Sequence, residues 1–194
     1  NNAYASSADL NQWVFYFAYE ASECENPASA PGSNATVVGA SLVANSNNNG
    51  SISGTSDFFL VELNEEIPFD YGAYASGWDR TNTSSQSGVC FHHPAGDIKK
   101  ISTYSTSLST TGWNGGGNTH WRVRWAETLN GHGVTEGGSS GSPIYNNNGH
   151  IIGDLSGGSS YCTNTNGQDL YGKLSYSWSP NGSSNNEKLQ PWLD

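Results

Sequence analysis

Short apolar stretches with a period of two, each closed by turn residues, limit what this chain can fold into. They run over Trp13 to Tyr19, Ala35 to Val43, Phe58 to Leu63, Val89 to His92, Ile98 to Tyr104, Trp121 to Trp125, Ile151 to Leu155 and Leu170 to Trp178. Residues 45–54, 112–118 and 179–186 are Gly-, Asn- and Ser-rich and separate them as turns. One segment reads as a helix, the short C-terminal stretch 187–194, where Pro191 is tolerable only near a first turn. Seven tryptophans and ten tyrosines supply enough apolar area for a core, so the turn-rich composition does not mean disorder. The expected class is all-β.

Charge removes several functions. Seventeen acidic and seven basic residues give a formal net charge of −10. Phosphate contacts need clustered Lys and Arg, so nucleic acid is not an expected partner. No apolar run approaches the roughly 18 residues of a membrane-spanning helix, which leaves a mature soluble domain with no membrane partner as the expectation. The histidines lack metal-ligand spacing and the acidic loops lack a calcium-loop pattern, so no metal and no cofactor are expected.

The segment Gly137-Gly138-Ser139-Ser140-Gly141-Ser142-Pro143 carries chemistry. Glycines on both sides of Ser140 let the backbone fold tightly and turn its N–H groups toward a substrate carbonyl, while Pro143 fixes the exit into the apolar Ile144-Tyr145. A flexible Gly/Ser loop is the competing reading of this segment taken alone. A second segment adds weight: Asp57 sits immediately before the apolar run Phe58 to Leu63. A carboxylate there is costly to bury unless it is hydrogen-bonded, and orienting a catalytic imidazole is one use that satisfies it. An ordinary turn aspartate is the other. Asp before Ser fits the His, Asp, Ser chain order of chymotrypsin-type enzymes.

With these segments in hand, the chain resembles the lysyl endopeptidases, secreted bacterial members of the trypsin-like serine protease family. The matching stretches include Thr55 to Asn64, Gly77-Trp78-Asp79-Arg80, His92-His93-Pro94, Gly133 to Glu136 running into Gly138 to Tyr145, Ser156-Gly157-Gly158, Asp169-Leu170-Tyr171-Gly172 and Leu189 to Asp194. The resemblance implies a double antiparallel β-barrel with the active site in the cleft, a short C-terminal helix and a secreted location. Residues 1–68 would be the remainder of an incomplete first barrel, and 69–194 the second barrel with the helix. Ser140 would be the nucleophile, the N–H groups of Gly138 and Ser140 the oxyanion hole, and Asp57 the group that orients the base. Ser156, Gly157 and Gly158 would pair with the substrate backbone, Trp113 would flank the pocket, and Asp169 would receive a basic P1 side chain of a polypeptide substrate.

The family's catalytic histidine lies in an Ala-Ala-His-Cys segment upstream of everything matched. The five histidines here, His92, His93, His120, His132 and His150, all follow Asp57. His92 and His93 match a pair without catalytic role, and the other three read as loop residues, so the base is expected on a segment preceding Asn1. Cys24 and Cys162 match cysteines whose disulfide partners lie in that segment, which would be the bound partner; pairing with each other is the alternative. Cys90 matches none and reads as a buried free thiol. Two departures stand out. Glu136-Gly137-Gly138 replaces the usual Glu-Pro-Gly, which implies a looser approach to the turn. The family's tryptophan–histidine pair survives as Trp113, with Ser156 where the histidine belongs, which weakens any strict choice of Lys over Arg. A non-catalytic scaffold or assembly protein of the same fold is the alternative function.

Overall fold

The expected strands condense into one large sheet and three small ones, seen in a computed structural model that describes residues 5–27, 31–32, 35–46, 54–115 and 117–194. In chain order, α1 (Ser7–Leu10) leads to β1 (Val14–Tyr16), β2 (Thr36–Val38), β3 (Ala40–Asn45) and β4 (Phe59–Leu63). Then come β5 (Gly88–His92), β6 (Lys100–Tyr104), β7 (Ser109–Thr111), β8 (His120–Val123), β9 (Glu127–Thr128) and β10 (Gly131–His132). Last are β11 (Pro143–Tyr145), β12 (Ile151–Gly158), β13 (Asp169–Lys173), α2 (Leu174–Trp178) and α3 (Gln190–Leu193). The all-β class is as expected, although no sheet closes on itself among the described residues. Nor, among them, is any helix long and apolar enough to cross a membrane.

The large sheet is antiparallel, in the order β6-β5-β11-β12-β13-β8-β7. Its inner face buries Cys90, Tyr104, Trp121, Trp125, Ile144, Leu155 and Tyr171, each at 5% exposure or less. The earlier strands pair only locally, β1 with β2 and β3 with β4. Residues 35–43 make two strands rather than one, because Gly39 between them takes a left-handed φ of +84°.

Two elements differ from the sequence expectation for packing reasons. The strand expected over 170–178 stops at Lys173 and continues as α2. Helical spacing puts Leu174 and Trp178 on one face, and that face packs with Ala44, Phe58, Leu60, Leu189 and Leu193 in a second apolar cluster. The C-terminal helix is likewise shorter than 187–194, a 3-10 turn over Asn185–Glu187 followed by α3. Conversely β12 runs past Leu155 through Ser156, Gly157 and Gly158, with an irregular register between Leu155 and Gly157.

This second cluster joins Asp57's hairpin to the chain's end. Asn181 Oδ1 accepts from both the N–H and the hydroxyl of Ser56, each at 3.0 Å, and Ser177 Oγ lies 2.8 Å from Ser56 Oγ. Gly172 must lack a side chain, since a Cβ there would run into the Ser56 carbonyl oxygen.

Candidate active site

Ser140 sits in the turn between β10 and β11, exposed on an open cleft of about 960 Å³ whose other walls include Phe15, Phe17, Tyr19, His93 and Gly138. The turn is tied down on both sides. Ala95 N–H donates to the Gly137 carbonyl at 2.7 Å and Gly141 N–H to the Leu155 carbonyl at 2.8 Å. Gly138 has a left-handed φ of +94°, and a Cβ there would lie 3.2 Å from the Ala95 and Gly96 nitrogens and the His93 oxygen. Among the described residues no acceptor engages the N–H of Gly138 or of Ser140. The approach is tighter than the loss of proline implied. Cys162 holds the Glu136 carboxyl below the usual carboxylate range, first through its side chain and then through its N–H, which donates to Glu136 Oε1 at 3.2 Å.

Asp57 is buried at 2% exposure, with a left-handed φ of +61° that is uncommon outside glycine. It does not line the cleft. Its neighbour is Asp154 on β12. Residues opposite one another in an antiparallel pair share a face. Asp154 is opposite Gly172, whose missing side chain points at Ser56. Asp154 therefore stands on the face crossed by Ser56 and Asp57. Burial first, and the Asp57 carboxylate second, push its carboxyl well above the usual range, so Asp154 keeps its proton to higher pH than an exposed aspartate. A carboxylate amid Ile151, Ile152 and Leu155 was the available signal, and sequence reasoning passed over it.

Asp169 is fully buried at the start of β13 and away from the cleft. Its Oδ2 accepts from Trp125 Nε1 at 2.6 Å, Thr135 Oγ1 at 2.7 Å and Ser160 Oγ at 2.5 Å, whereas Oδ1 accepts from Ser160 N–H at 3.1 Å. Those three donors lie far apart in sequence and gave no signal. Gly158 is exposed, and a Cβ on it would run into Asp169 Oδ1. Beside it, a Cβ on Gly157 would lie 3.1 Å from the Trp113 ring. The structure thus brings Trp113, Gly157, Gly158 and Asp169 together.

His120 is a correction to the sequence reading. It is no loop residue but lies on β8 with no exposure; its Nδ1 is 2.7 Å from Thr119 Oγ1 and its Nε2 is 3.1 Å from Ser156 Oγ. Its ring lies 6.1 Å from that of Trp113. The imidazole beside Trp113, expected to be missing because Ser156 occupies its place, is supplied from the neighbouring part of the sheet. Burial, then the Lys173 charge, lowers the His120 pKa to about 4. His132 also departs from the loop reading, on β10, while His150 lies in an exposed turn before β12.

Cys24 and Cys162 are exposed and unbridged, so they do not pair with each other, and Cys90 is a free thiol with no exposure, pushed up to about 11 by burial. No group of His, Cys, Asp and Glu among the described residues is arranged to hold a metal ion.

An exposed serine in a glycine turn, with two unengaged N–H groups beside it, is shared by many hydrolases. The family model that matches this chain is that of the lysyl endopeptidase C-terminal domain, over residues 1–172. The chain belongs to that family. It is 38% identical over 112 residues to the lysyl endopeptidase of Pseudomonas aeruginosa, a match covering 55% of this chain and 22% of that protein. The chain thus spans less than a quarter of that curated relative's length. Among solved structures it is similar to the inactive form of a mutant of Rv3671c from M. tuberculosis H37Rv, with a TM-score of 0.43, 13% identity, and coverage of 73% of this chain and 66% of that one.

Proposed function

We propose that this lysyl endopeptidase-family chain is the larger part of the protease domain of a secreted serine endopeptidase that cleaves polypeptides after basic residues through an acyl-enzyme. The observation that carries the reading is the exposed Ser140 flanked by the unengaged N–H groups of Gly138 and Ser140. Ser140 Oγ attacks the scissile carbonyl carbon and its proton passes to an imidazole from a segment outside these residues. The resulting oxyanion lies against the two N–H groups, where losing one donor typically costs ~3–4 kcal/mol of barrier. Asp57 orients that imidazole and stabilises its charged form.

Specificity is assigned to Asp169. Three donors occupy its Oδ2 and one its Oδ1, so Oδ1 retains acceptor capacity, and the absent side chain of Gly158 lets the exposed main chain there lie directly against that oxygen. The main chain at Ser156, Gly157 and Gly158 lies beside it for pairing with an extended substrate. Residues 1–68 and 69–194 serve as the two lobes of the site, and the upstream segment is tied on by disulfides through Cys24 and Cys162.

The test is a fluorophosphonate probe on the full-length protein with any upstream segment retained. Labelling at Ser140 that disappears in Ser140→Ala supports the reading. An unlabelled, folded protein would make the chain a non-catalytic relative. In the labelled enzyme, Gly158→Ala places a methyl group against Asp169 Oδ1. It should lower kcat/KM for lysyl substrates at least ~10-fold relative to small apolar ones, since a single lost methylene-sized fit is worth about 1–3 kcal/mol.

A further inference from the structure

His92, left without a role by the sequence pattern, lies beneath the nucleophile turn at 3% exposure. Its Nδ1 is 2.8 Å from Ser139 Oγ and its Nε2 is 3.1 Å from Ser102 Oγ, and both hydroxyls are buried at 1% exposure. The direction of every bond follows from what each group can give. Ser102 Oγ donates its only hydrogen to the Val134 carbonyl at 2.8 Å, so it can only accept from the ring. Nε2 therefore carries the proton, and the neutral ring leaves Nδ1 as a bare acceptor. Ser139 donates to that Nδ1 and in turn accepts from Glu136 N–H at 3.3 Å. The result is one unbroken chain from Glu136 N–H through Ser139, His92 and Ser102 to the Val134 carbonyl. Close packing holds it in place, since a Cβ on Gly133 would lie 2.7 Å from both Cα and Oγ of Ser102.

Ser139 is the residue between Gly138 and Ser140, whose N–H groups face no acceptor within the described residues. We propose that His92 is a positioning residue for the oxyanion hole: its neutral ring, accepting at Nδ1, fixes the Ser139 hydroxyl and so the orientation of the two N–H groups on either side. The inference rests on Ser140 being the nucleophile.

The surroundings suit a ring kept neutral. His93 follows it on the chain, Glu136 faces it from the turn, Asp169 from β13, and Lys100 is its register partner on β6. Burial first, then the His93 charge, outweigh the two carboxylates and lower its pKa to about 4. A proton on Nδ1 would meet the Ser139 hydrogen and leave that hydrogen without an acceptor, so the chain holds only while the ring is uncharged.

The experiment uses the full-length protein and compares His92→Phe, His92→Gln and Ser139→Ala. Loss of one oriented oxyanion donor slows acylation on the order of 100-fold. His92→Phe should therefore react with a fluorophosphonate roughly 100-fold more slowly and lose kcat on a lysyl ester with KM little changed. His92→Gln, with an acceptor and a donor of its own, should recover most of that loss, and Ser139→Ala should resemble His92→Phe. Imidazole ¹⁵N shifts at pH 7 should report the Nε2–H tautomer, a reading independent of turnover that stands even where His92→Phe fails to fold. A Nδ1–H or charged ring would overturn the proposal, as would a folded His92→Phe or Ser139→Ala reacting at the unsubstituted rate. No labelling of the unsubstituted protein would instead remove the nucleophile reading, and this role with it.

Discussion

The hairpin whose connecting segment carries Asp57 and the sheet that presents Ser140 are stabilised in different ways. The seven-stranded sheet has its own core, with three aromatics and Ile144 among side chains at 2% exposure or less, and its buried His92, His120, Asp169 and Lys173 all have hydrogen-bond partners. The β3–β4 hairpin has no core alone. Two strands are marginal by themselves, and this pair buries Ala44 and Phe58 against Trp178 and Leu189 from the chain's end. β1 and β2 are more open still, with Val14 44%, Tyr16 61% and Val38 48% exposed. The proposed nucleophile thus rides on a self-sufficient scaffold, while the carboxylate proposed to serve it is held by a seam of a few contacts at Ser56.

The strongest way to break this contrast is Gly172→Ala, which drives a methyl group into the Ser56 carbonyl. Overpacking against backbone costs typically 1–3 kcal/mol, and about 3 kcal/mol is expected here because Gly172 is paired on both sides within the sheet and Ser56 is buried and hydrogen-bonded. Urea unfolding and Ser140 labelling should both suffer, whereas unchanged values would mean the hairpin does not depend on that seam.

Acid separates the two regions next. His92 and His120 fall from 6.5 to about 4 on folding, so the unfolded chain takes up protons more readily. Their contribution is fully present above pH 6.5 and is lost as pH falls from there to about 4, at roughly 3 kcal/mol each. Asp154 at the seam acts oppositely. Its folded value is raised, so its contribution is full below the unfolded carboxyl range and declines as pH climbs through the raised value. Asp154→Asn removes an opposing slope that begins at the unfolded carboxyl range and overlaps the histidine window, so the denaturation midpoint should rise more steeply as pH increases from about 4 to 6.5. An unchanged plot would mean that folding does not raise the Asp154 carboxyl.

Asn181→Ala sharpens the seam with a smaller effect. It strands the Ser56 N–H and hydroxyl and the carbonyls of Ser46 and Glu187, for about 2 kcal/mol in thermal or urea unfolding. Smallest is Arg80→Ala. Its ion pair with Asp194 is half exposed on both sides and its guanidinium lies 4.8 Å from the Trp178 ring, so less than about 1 kcal/mol is expected.

Much of this was legible before any fold was seen. Alternation located β4, β5 and β12, the glycine turn drew attention to Ser140, and ordered motifs from Thr55 onward pointed to the family whose model matches residues 1–172. The misses have physical causes. Leu170 to Trp178 keeps an apolar period of two, yet its last five residues are helical because Leu174 and Trp178 find a partner surface far away in sequence. Gly157 and Gly158 look like a strand terminator but stay paired, since Trp113 and Asp169 approach where side chains would otherwise be.

Local chemistry, then, was legible in the sequence alone: where most extended segments lie, where the chain must turn through glycine, and which residues are candidates for reaction. Tertiary structure decided which of those groups lose water and which partners they meet. His92 under Ser139, Asp154 beside Asp57 and Gly158 against Asp169 each join residues from separate strands or loops. A hydrogen bond or a displaced proton depends on distances of a few ångströms between such residues, and no period along the chain encodes those.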